Sequence, residues 1–401
     1  MTEKKKHNLL LLNLAIFLLN QTYIAPISLL FYLHNDLTLV EFVFFQSIYS
    51  LTCVLMEIPA GYFGDIFPKK YILIFAHFLL LLKVFLWFNF SGYAIILAGE
   101  ILFALSKSFS RGVAEGYISD LLKLDNTHEQ LMKKCGHYNF SMSFGTALSA
   151  LVGAYLYKFL GFKTLLASEF TFILISIICL LCLTKIPVTK INSLTFKSHL
   201  SRILSITKAT YTNIKINGNI FYTAVLTSLS SAFVWTFQPS MLKVHIPIIF
   251  FGIISCSNHA IRALCSMFSQ NIIKKLSVRW FNRLTFATSV CSIIAIIACQ
   301  HISNKIICVI LLLGICLAIG INLIYNIYTV SRIINNVEGL TKSTSASVST
   351  MTSCMMTAIL LYLYKYSIQY ISISKFFAVL LVCYVIIFLL LKKRIIPTNE
   401  N

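Results

Sequence analysis

Residues 37–70 read LTLVEFVFFQSIYSLTCVLMEIPAGYFGDIFPKK. No charged residue stands between Glu41 and Glu57, and the run ends in a short segment with one acid and two lysines. An apolar run of this length crosses a membrane as a helix of ~20 residues or more. The stretch therefore predicts a transmembrane helix over 38–61, followed by a polar loop at one membrane face.

The rest of the chain repeats this pattern. Of its 401 residues, 58% are apolar and 11% are charged, and the mean hydropathy is +0.83. Soluble chains have about 45–50% apolar and about 25% charged residues, so the composition excludes a soluble enzyme, a disordered protein and a secreted domain. The apolar runs are continuous, which excludes the alternating strands of a porin-like barrel. Their number predicts twelve transmembrane helices, including helix 1 over 8–33 and helix 4 over 93–121.

The basic residues predict the orientation of these helices. Lysine and arginine favour cytoplasmic loops, and most of the 33 lie in the alternate segments that include both termini. Both termini are therefore predicted to be cytoplasmic. Basic loops beside anionic lipid account for the net charge of +20 without nucleic acid.

A polar segment divides six predicted helices from six. Residues 185–215 hold six basic residues and no acid, which predicts a cytoplasmic basic linker between six-helix bundles over 1–184 and 216–401. The linker could be an amphipathic helix on the inner leaflet or a plain connection, and the sequence leaves both open. A weak repeat supports the division, because GYFGDIFPKK at 61–70 and SMFSQNIIKK at 266–275 match at three positions.

The loop after predicted helix 2 resembles the signature of the major facilitator superfamily, roughly G-x-L-A-D-R-x-G-R-K. The E-I-P of residues 57–59 is similar to that of many bacterial members. The arginine of the signature is Ile66 here, and Lys69 could take its place. The resemblance implies that this loop latches the two halves of the protein in the outward-facing state. The matching positions are Gly61, Asp65, Lys69 and Lys70.

A second stretch, SFSRGVAEGYISDLL at 108–122, is similar to the family's helix 4 pattern S-G-x-x-E-A-L-x-Y-D. Gly112, Glu115 and Asp120 match it, and Asp120 joins the predicted latch. Together with the helix count and the repeat, the resemblance covers the whole chain. It implies an all-α integral membrane protein of two six-helix bundles that moves a solute by alternating access.

Predicted helix 4 carries four charges on one face: Glu100, Lys107, Arg111 and Glu115. A charge at the bilayer centre costs at least about 2.5–3.5 kcal/mol and usually faces a cavity or a partner. In the family, helices 1, 4, 7 and 10 line the central cavity, which implies that Lys107 and Arg111 bind substrate. The alternative is a self-neutralised strip that packs against other helices. Glu115 is the predicted proton carrier, and Glu57 is the second candidate.

Polar stripes mark the other helices that the resemblance places at the cavity. Hydrogen bonds between helices are the alternative explanation. Helix 8 adds His259 and Arg262, about one turn apart, although a lone histidine is more often structural. The predicted cavity residues of the other helices are Asn20 on helix 1, Thr227 and Gln238 on helix 7, and Asn322, Tyr325 and Asn326 on helix 10.

These features predict a proton-coupled secondary transporter that exports a drug, siderophore or metabolite. Basic residues within the membrane outnumber unpaired acids, and arginine binds carboxylates and phosphates well, so an anionic or zwitterionic solute is favoured over an amphiphilic cation. Import of a nutrient or siderophore, a sensor without transport, and a membrane-embedded enzyme are the alternatives.

The predicted partners are a small-molecule substrate, protons and membrane lipids, with the chain acting as a monomer. No Cys/His spacing suits a metal and no P-loop is present, so no metal, cofactor or enzyme activity is expected. The predicted location is the inner (plasma) membrane of a bacterium, as a multi-pass protein.

Overall fold

The structure is a computed structural model, in which residues 3–110, 112–123, 131–186, 196–275, 277–336 and 342–395 are described, apart from a few side chains such as that of Asp65. Within these ranges the chain is almost wholly α-helical and contains no strand. A helix satisfies its own backbone hydrogen bonds, which is what a lipid environment requires. The predicted all-α class is confirmed.

Seven α-helices form the first half of the described chain. The last of them turns sharply at Gly161, whose φ of 68° is left-handed, and so contributes two membrane crossings. A short 3₁₀ turn, Ala25–Ile27, precedes α2. The helices are α1 Glu3–Leu19, α2 Ser28–His34, α3 Leu39–Ile66, α4 Lys69–Asn89, α5 Tyr93–Ser110, α6 Val113–Lys123 and α7 Leu131–Leu181.

Seven more helices follow in the described second half. The first of them, α8, lies in the segment predicted as a linker, and the Tyr211 hydroxyl joins it to Thr352 Oγ1 at 2.6 Å. The helices are α8 Phe196–Thr212, α9 Ile214–Lys243, α10 Ile249–Lys275, α11 Val278–Cys299, α12 Lys305–Asn336, α13 Lys342–Tyr370 and α14 Ile373–Ile395.

These helices make twelve membrane crossings. Ten segments of the described chain are long and apolar enough to span a membrane. One of them, Lys134–Leu181, crosses twice because it turns at Gly161. The first crossing is shared by α1 and α2, and the fourth by α5 and α6. Six crossings thus precede α8 and six follow it, as the sequence predicts.

Residue contacts divide the chain into two compact units. Each unit combines most of one group of six crossings with the first half of one helix from the other group, α3 in one case and α10 in the other. The bundle and linker boundaries inferred from the sequence stay a prediction. The first unit contains Met1–Leu37, Leu55–His199 and Ile248–Ala263, and the second contains Thr38–Val54, Leu200–Pro247 and Leu264–Asn401.

The first half of α3 packs inside the second unit. Ser47 Oγ donates a hydrogen bond to the Ala358 carbonyl of α13 at 2.8 Å. The rings of Phe42 and Trp235 of α9 meet edge to face, with centroids 5.5 Å apart. Packing and interhelical hydrogen bonds of this kind hold helices together in lipid, where the hydrophobic effect between helices is absent.

Glycines permit the closest helix contacts in the first unit. A Cβ atom at Gly145 of α7 would lie 2.6 Å from the Phe17 carbonyl oxygen of α1. A Cβ atom at Gly252 of α10 would lie 2.6 Å from the Ala150 carbonyl oxygen of α7. Because backbone cannot move away as a flexible side chain can, these positions admit only glycine at the observed helix spacing.

Replacing Gly145 by alanine should therefore destabilise the protein. The added methyl group forces α1 and α7 apart, and overpacking of this kind costs about 1–3 kcal/mol. Gly136→Ala on the same helix is the matched control, since Gly136 is exposed with no atom within 4 Å of its would-be Cβ. Thermal unfolding of the purified proteins in detergent should show a lower Tm for Gly145→Ala alone. Equal Tm values for the two variants would contradict the packing argument.

Candidate functional site

The first membrane crossing is broken near its centre. The sequence predicts one helix over 8–33, but α1 ends at Leu19 and α2 begins only at Ser28. The prediction of a continuous helix is wrong because Pro26 cannot donate a backbone hydrogen bond and restricts the residue before it. The break releases backbone groups at a depth where no water is available to bind them.

The carboxylate of Glu169 binds these released groups. Its Oε1 accepts a hydrogen bond from the Ile24 amide at 2.8 Å, and the Tyr23 amide donates to it as well. Glu169 is 5% exposed. The other side of the break is held by Ser149 Oγ, which donates to the Asn20 carbonyl at 3.2 Å.

Lys83 of α4 is the cation whose charge acts on this buried carboxyl group. The two groups interact electrostatically. The Lys83 ammonium also lies over two aromatic rings, 3.9 Å from the Trp87 centroid and 4.4 Å from the Phe103 centroid. Cation–π contacts of this kind strengthen when the cation is desolvated. Sequence reasoning missed Glu169, although an acid inside a predicted crossing is itself a signal of a function or a partner.

Asn20 and Lys107, both predicted cavity residues, meet at this break. Lys107 Nζ donates to Asn20 Oδ1 at 3.2 Å, and Asn20 Nδ2 donates to the Ile16 carbonyl at 2.7 Å. Asn20 thus uses its amide nitrogen to continue α1 and its amide oxygen to hold the lysine. Lys107 stands at the middle of the apolar span Tyr93–Leu122.

Of the other charges of predicted helix 4, Glu100 shares α5 with Lys107, whereas Glu115 lies on a separate helix, α6. Gly112, with a φ of 77°, separates α5 from α6, so the prediction of an unbroken helix over 93–121 is wrong. Glu100 is buried on α5 and accepts a hydrogen bond from the Tyr32 hydroxyl at 2.7 Å. Glu115 is exposed on α6, and Arg111 lies outside the described residues.

The two predicted proton carriers lie on different helices. The charge of Glu115 acts on Tyr138 and Cys135 of α7. Glu57 is half-buried on α3, in the turn that contains Pro59. The assignment of the proton carrier to either acid stays a prediction.

The predicted cavity residues of the second unit are spread over two helices. Asn322 Nδ2 donates to Ser230 Oγ at 3.1 Å, and Asn322 Oδ1 accepts from Ser289 Oγ at 3.4 Å. Tyr325 is fully buried and donates to Asn219 Oδ1 at 2.8 Å. These are hydrogen bonds between helices, the alternative that the sequence left open. The remaining three are Thr227 and Asn326, which are half-buried, and Gln238, which is buried.

The predicted latch residues form contacts within the first unit. Lys69 Nζ lies 2.5 Å from Asp120 Oδ2, so α4 is paired with α6. Lys70 Nζ donates to the carbonyls of Leu181 and Leu183, each at 2.7 Å, and thereby caps the end of α7. Gly61 is exposed on α3, and the side chain of Asp65 lies outside the described part of the structure.

The comparisons with known proteins agree with this geometry. A family model of the Major Facilitator Superfamily matches residues 10–359, which is most of the chain. The chain belongs to the Major Facilitator Superfamily. Because members of this superfamily are secondary transporters built from six-helix halves, this member is a multi-pass membrane transporter rather than an enzyme.

Two solved structures that resemble this superfamily member are of the nucleoside transporter NupG. For a point mutant of NupG the TM-score is 0.78 at 11% identity, and the alignment covers 98% of this chain and 100% of that chain. For a second NupG structure the TM-score is 0.76 at 12% identity, and the alignment covers 98% of this chain and 99% of that chain. Identity this low shows a shared fold alone. No curated protein matches the sequence.

Removing the Glu169 carboxylate from this transporter should destabilise it. Glu169→Ala leaves two buried amides without their acceptor, and an unsatisfied buried group costs about 1–3 kcal/mol. Glu169→Gln keeps a carbonyl acceptor and should lose less. The Tm in detergent should therefore fall in the order wild type, Gln variant, Ala variant. A wild-type Tm for Glu169→Ala would show that the break does not depend on this side chain.

The Lys69–Asp120 pair should contribute a small coupling energy. Its partners are 24% and 31% exposed, and partly exposed ion pairs contribute about 0.2–1 kcal/mol. Unfolding of Lys69→Gln, Asp120→Asn and the double variant gives this energy directly as a double-mutant cycle. Additive effects of the two substitutions would mean that the pair contributes nothing to stability.

Proposed function

We propose that this superfamily member exports a small organic solute across a bacterial inner membrane by alternating access, with proton coupling. One observation carries the proposal: the first crossing breaks at mid-membrane, where Asn20 holds Lys107. Broken helices at the midplane form the substrate sites of many transporters. A lysine at that depth would otherwise be costly.

The same observation supports an anionic or zwitterionic solute. Lys107 presents a positive charge in a region from which water is largely excluded, where an interaction with an anion is strong. The acids nearby are already engaged, Glu169 by backbone amides and Glu100 by Tyr32. A solute that brings its own carboxylate or phosphate would form a charge-assisted hydrogen bond with the lysine.

Proton coupling is assigned to Glu115, with Glu57 as the second candidate. Glu115 is accessible on α6 and lies near enough to Tyr138 for its charge to act there, so a proton can reach it without a buried path. Binding of a charged solute nearby would shift its protonation. Glu57 lies about one turn before Gly61 on α3, where it could couple protonation to the latch.

The latch is proposed to consist of Gly61, Asp65, Lys69, Lys70 and Asp120. The observed pairing of Lys69 with Asp120 supports it, because the lysine occupies the role that the missing arginine would have. Lys70 fixes the end of α7 beside it. A half that is tied together in this way can rock as a rigid body, as alternating access requires.

Transport can be tested with purified protein in liposomes that contain a pH-sensitive dye. A proton gradient is imposed, and solutes are added with anionic compounds first. Wild type should show proton flux that depends on the solute, whereas Glu115→Gln should fall to the level of liposomes without protein. The matched control is Glu41→Gln, because Glu41 caps its own helix by accepting from the Thr38 amide.

The outcomes separate the alternatives. Flux that survives in Glu115→Gln and disappears in Glu57→Gln would move the proton carrier to α3. Solute movement in the direction of the proton gradient would replace export by import of a nutrient or siderophore. Absence of flux for a broad panel of solutes would favour a sensor that keeps the fold without transport.

A further inference from the structure

Two basic side chains lie on the part of α10 that belongs to the first unit. His259 is the central residue of the apolar span Ile249–Ser269, and Arg262 follows three residues later. Residues at this spacing lie on the same helix face. Both side chains are half-buried, and neither makes a hydrogen bond or ion pair with a described residue. Arginine has five N–H donors, so a half-buried arginine without an acceptor needs one from elsewhere.

The charge of Lys107 acts on His259 as well. Among the described residues, the charges that act on His259 are those of Arg262 and Lys107. Lys107 lies at the centre of the apolar span Tyr93–Leu122, just as His259 lies at the centre of the span Ile249–Ser269. Since a helix advances about 1.5 Å per residue, the two side chains lie at a similar depth, which is also that of the helix break at Asn20.

Such a group of like charges is unfavourable in a membrane unless an anion compensates it. In the part of the chain that the structure describes, the charges that act on His259 come from Lys107 on α5 and Arg262 on α10, and the charge of Lys107 also acts on His77 of α4. Glu169 is occupied by the break and by Lys83. Among the described residues, the donors of His259 and Arg262 thus have no acceptor.

We propose that Lys107, His259 and Arg262 form a binding site for the anionic group of the transported solute, a carboxylate or a phosphate. Arg262 can donate two parallel hydrogen bonds to two oxygens of either group. His259 donates a third, and Lys107, held by Asn20, supplies the second full charge. That the bound solute is transported rests on the proposed function, whereas the anion site itself does not depend on it.

The site also connects parts of the sequence that lie far apart. Lys107 belongs to the fourth crossing and Arg262 to the eighth, on opposite sides of α8. An anion bound to both draws α5 and α10 together, whereas without it their like charges repel. The bound solute therefore favours the conformation in which these helices are close, and it does so by its differential affinity for the two states.

Binding can be measured without transport. The purified protein in detergent is titrated with sodium succinate or sodium phosphate, against sodium chloride at equal ionic strength, and the thermal midpoint is followed. Wild type should be stabilised by one of the two anions and not by chloride. Arg262→Gln and His259→Gln should bind that anion about 10- to 100-fold more weakly, the fold-change expected for loss of a charge-assisted hydrogen bond.

Two further variants make the result specific. Arg262→Lys keeps the charge but loses the fork, so it should bind between wild type and Arg262→Gln. Arg283→Gln is the matched control, because Arg283 is exposed on α11 and lies over the ring of Trp280; its affinity should equal that of wild type. Succinate and phosphate in separate titrations distinguish a carboxylate solute from a phosphorylated one.

The results separate this inference from the proposed function. Equal anion affinity in wild type, Arg262→Gln and His259→Gln would overturn the site, as would wild type that responds to neither anion. Anion binding that is lost in these variants would support the site even if no solute gave flux in liposomes, and in that case only transport would be rejected. Solute flux that is unaffected by both substitutions would leave transport in place and reject the site.

Discussion

The carboxylate of Glu169 occupies the position on which the polar interior of the first unit depends. A helix that breaks inside a membrane releases backbone amides that lipid cannot bind, and Glu169 accepts those of Tyr23 and Ile24. An ionised carboxylate at that depth would itself be unfavourable. The positive charge of Lys83 acts on this group and favours its ionised form, and the rings of Trp87 and Phe103 lie against the lysine. The break is thus part of a chain of interactions in which each group requires the next.

The consequence for function is a division between the acids and the cations of this interior. Glu169 and Glu100 are used to hold the structure, one at the break and the other through Tyr32. His259 and Arg262 make no hydrogen bond or ion pair with a described residue, and Lys107 donates to Asn20. Buried charges with a structural task have their partners inside the protein, whereas those of a binding site are left to find their partner in the ligand.

The fold could be predicted from sequence because apolar runs and basic loops report directly on the membrane. The helix breaks within the crossings are more difficult to predict from the sequence. Pro26 and Gly112 each interrupt an apolar run without shortening it, so hydropathy alone gives one helix where the structure has two. Contacts between distant helices, such as that of Glu169 with Ile24, leave no local pattern. The family motif places Lys69 and Asp120 in one predicted latch but does not predict that they pair. The spacing of His259 and Arg262 indicates that they share a helix face, but it predicts no partner for either.

The turn at Gly161 is the extreme case of a property shared by the whole side predicted to face outwards. Its positive φ lets the fifth crossing reverse into the sixth within α7. The other outward connections are also short: residues 35–38, 90–92, 244–248, 300–304 and 371–372. An antibody, a bacteriophage or a protease approaching from that side would meet helix ends and very little loop. The side predicted to face outwards therefore offers few exposed segments for recognition or cleavage, and few positions for an inserted epitope tag.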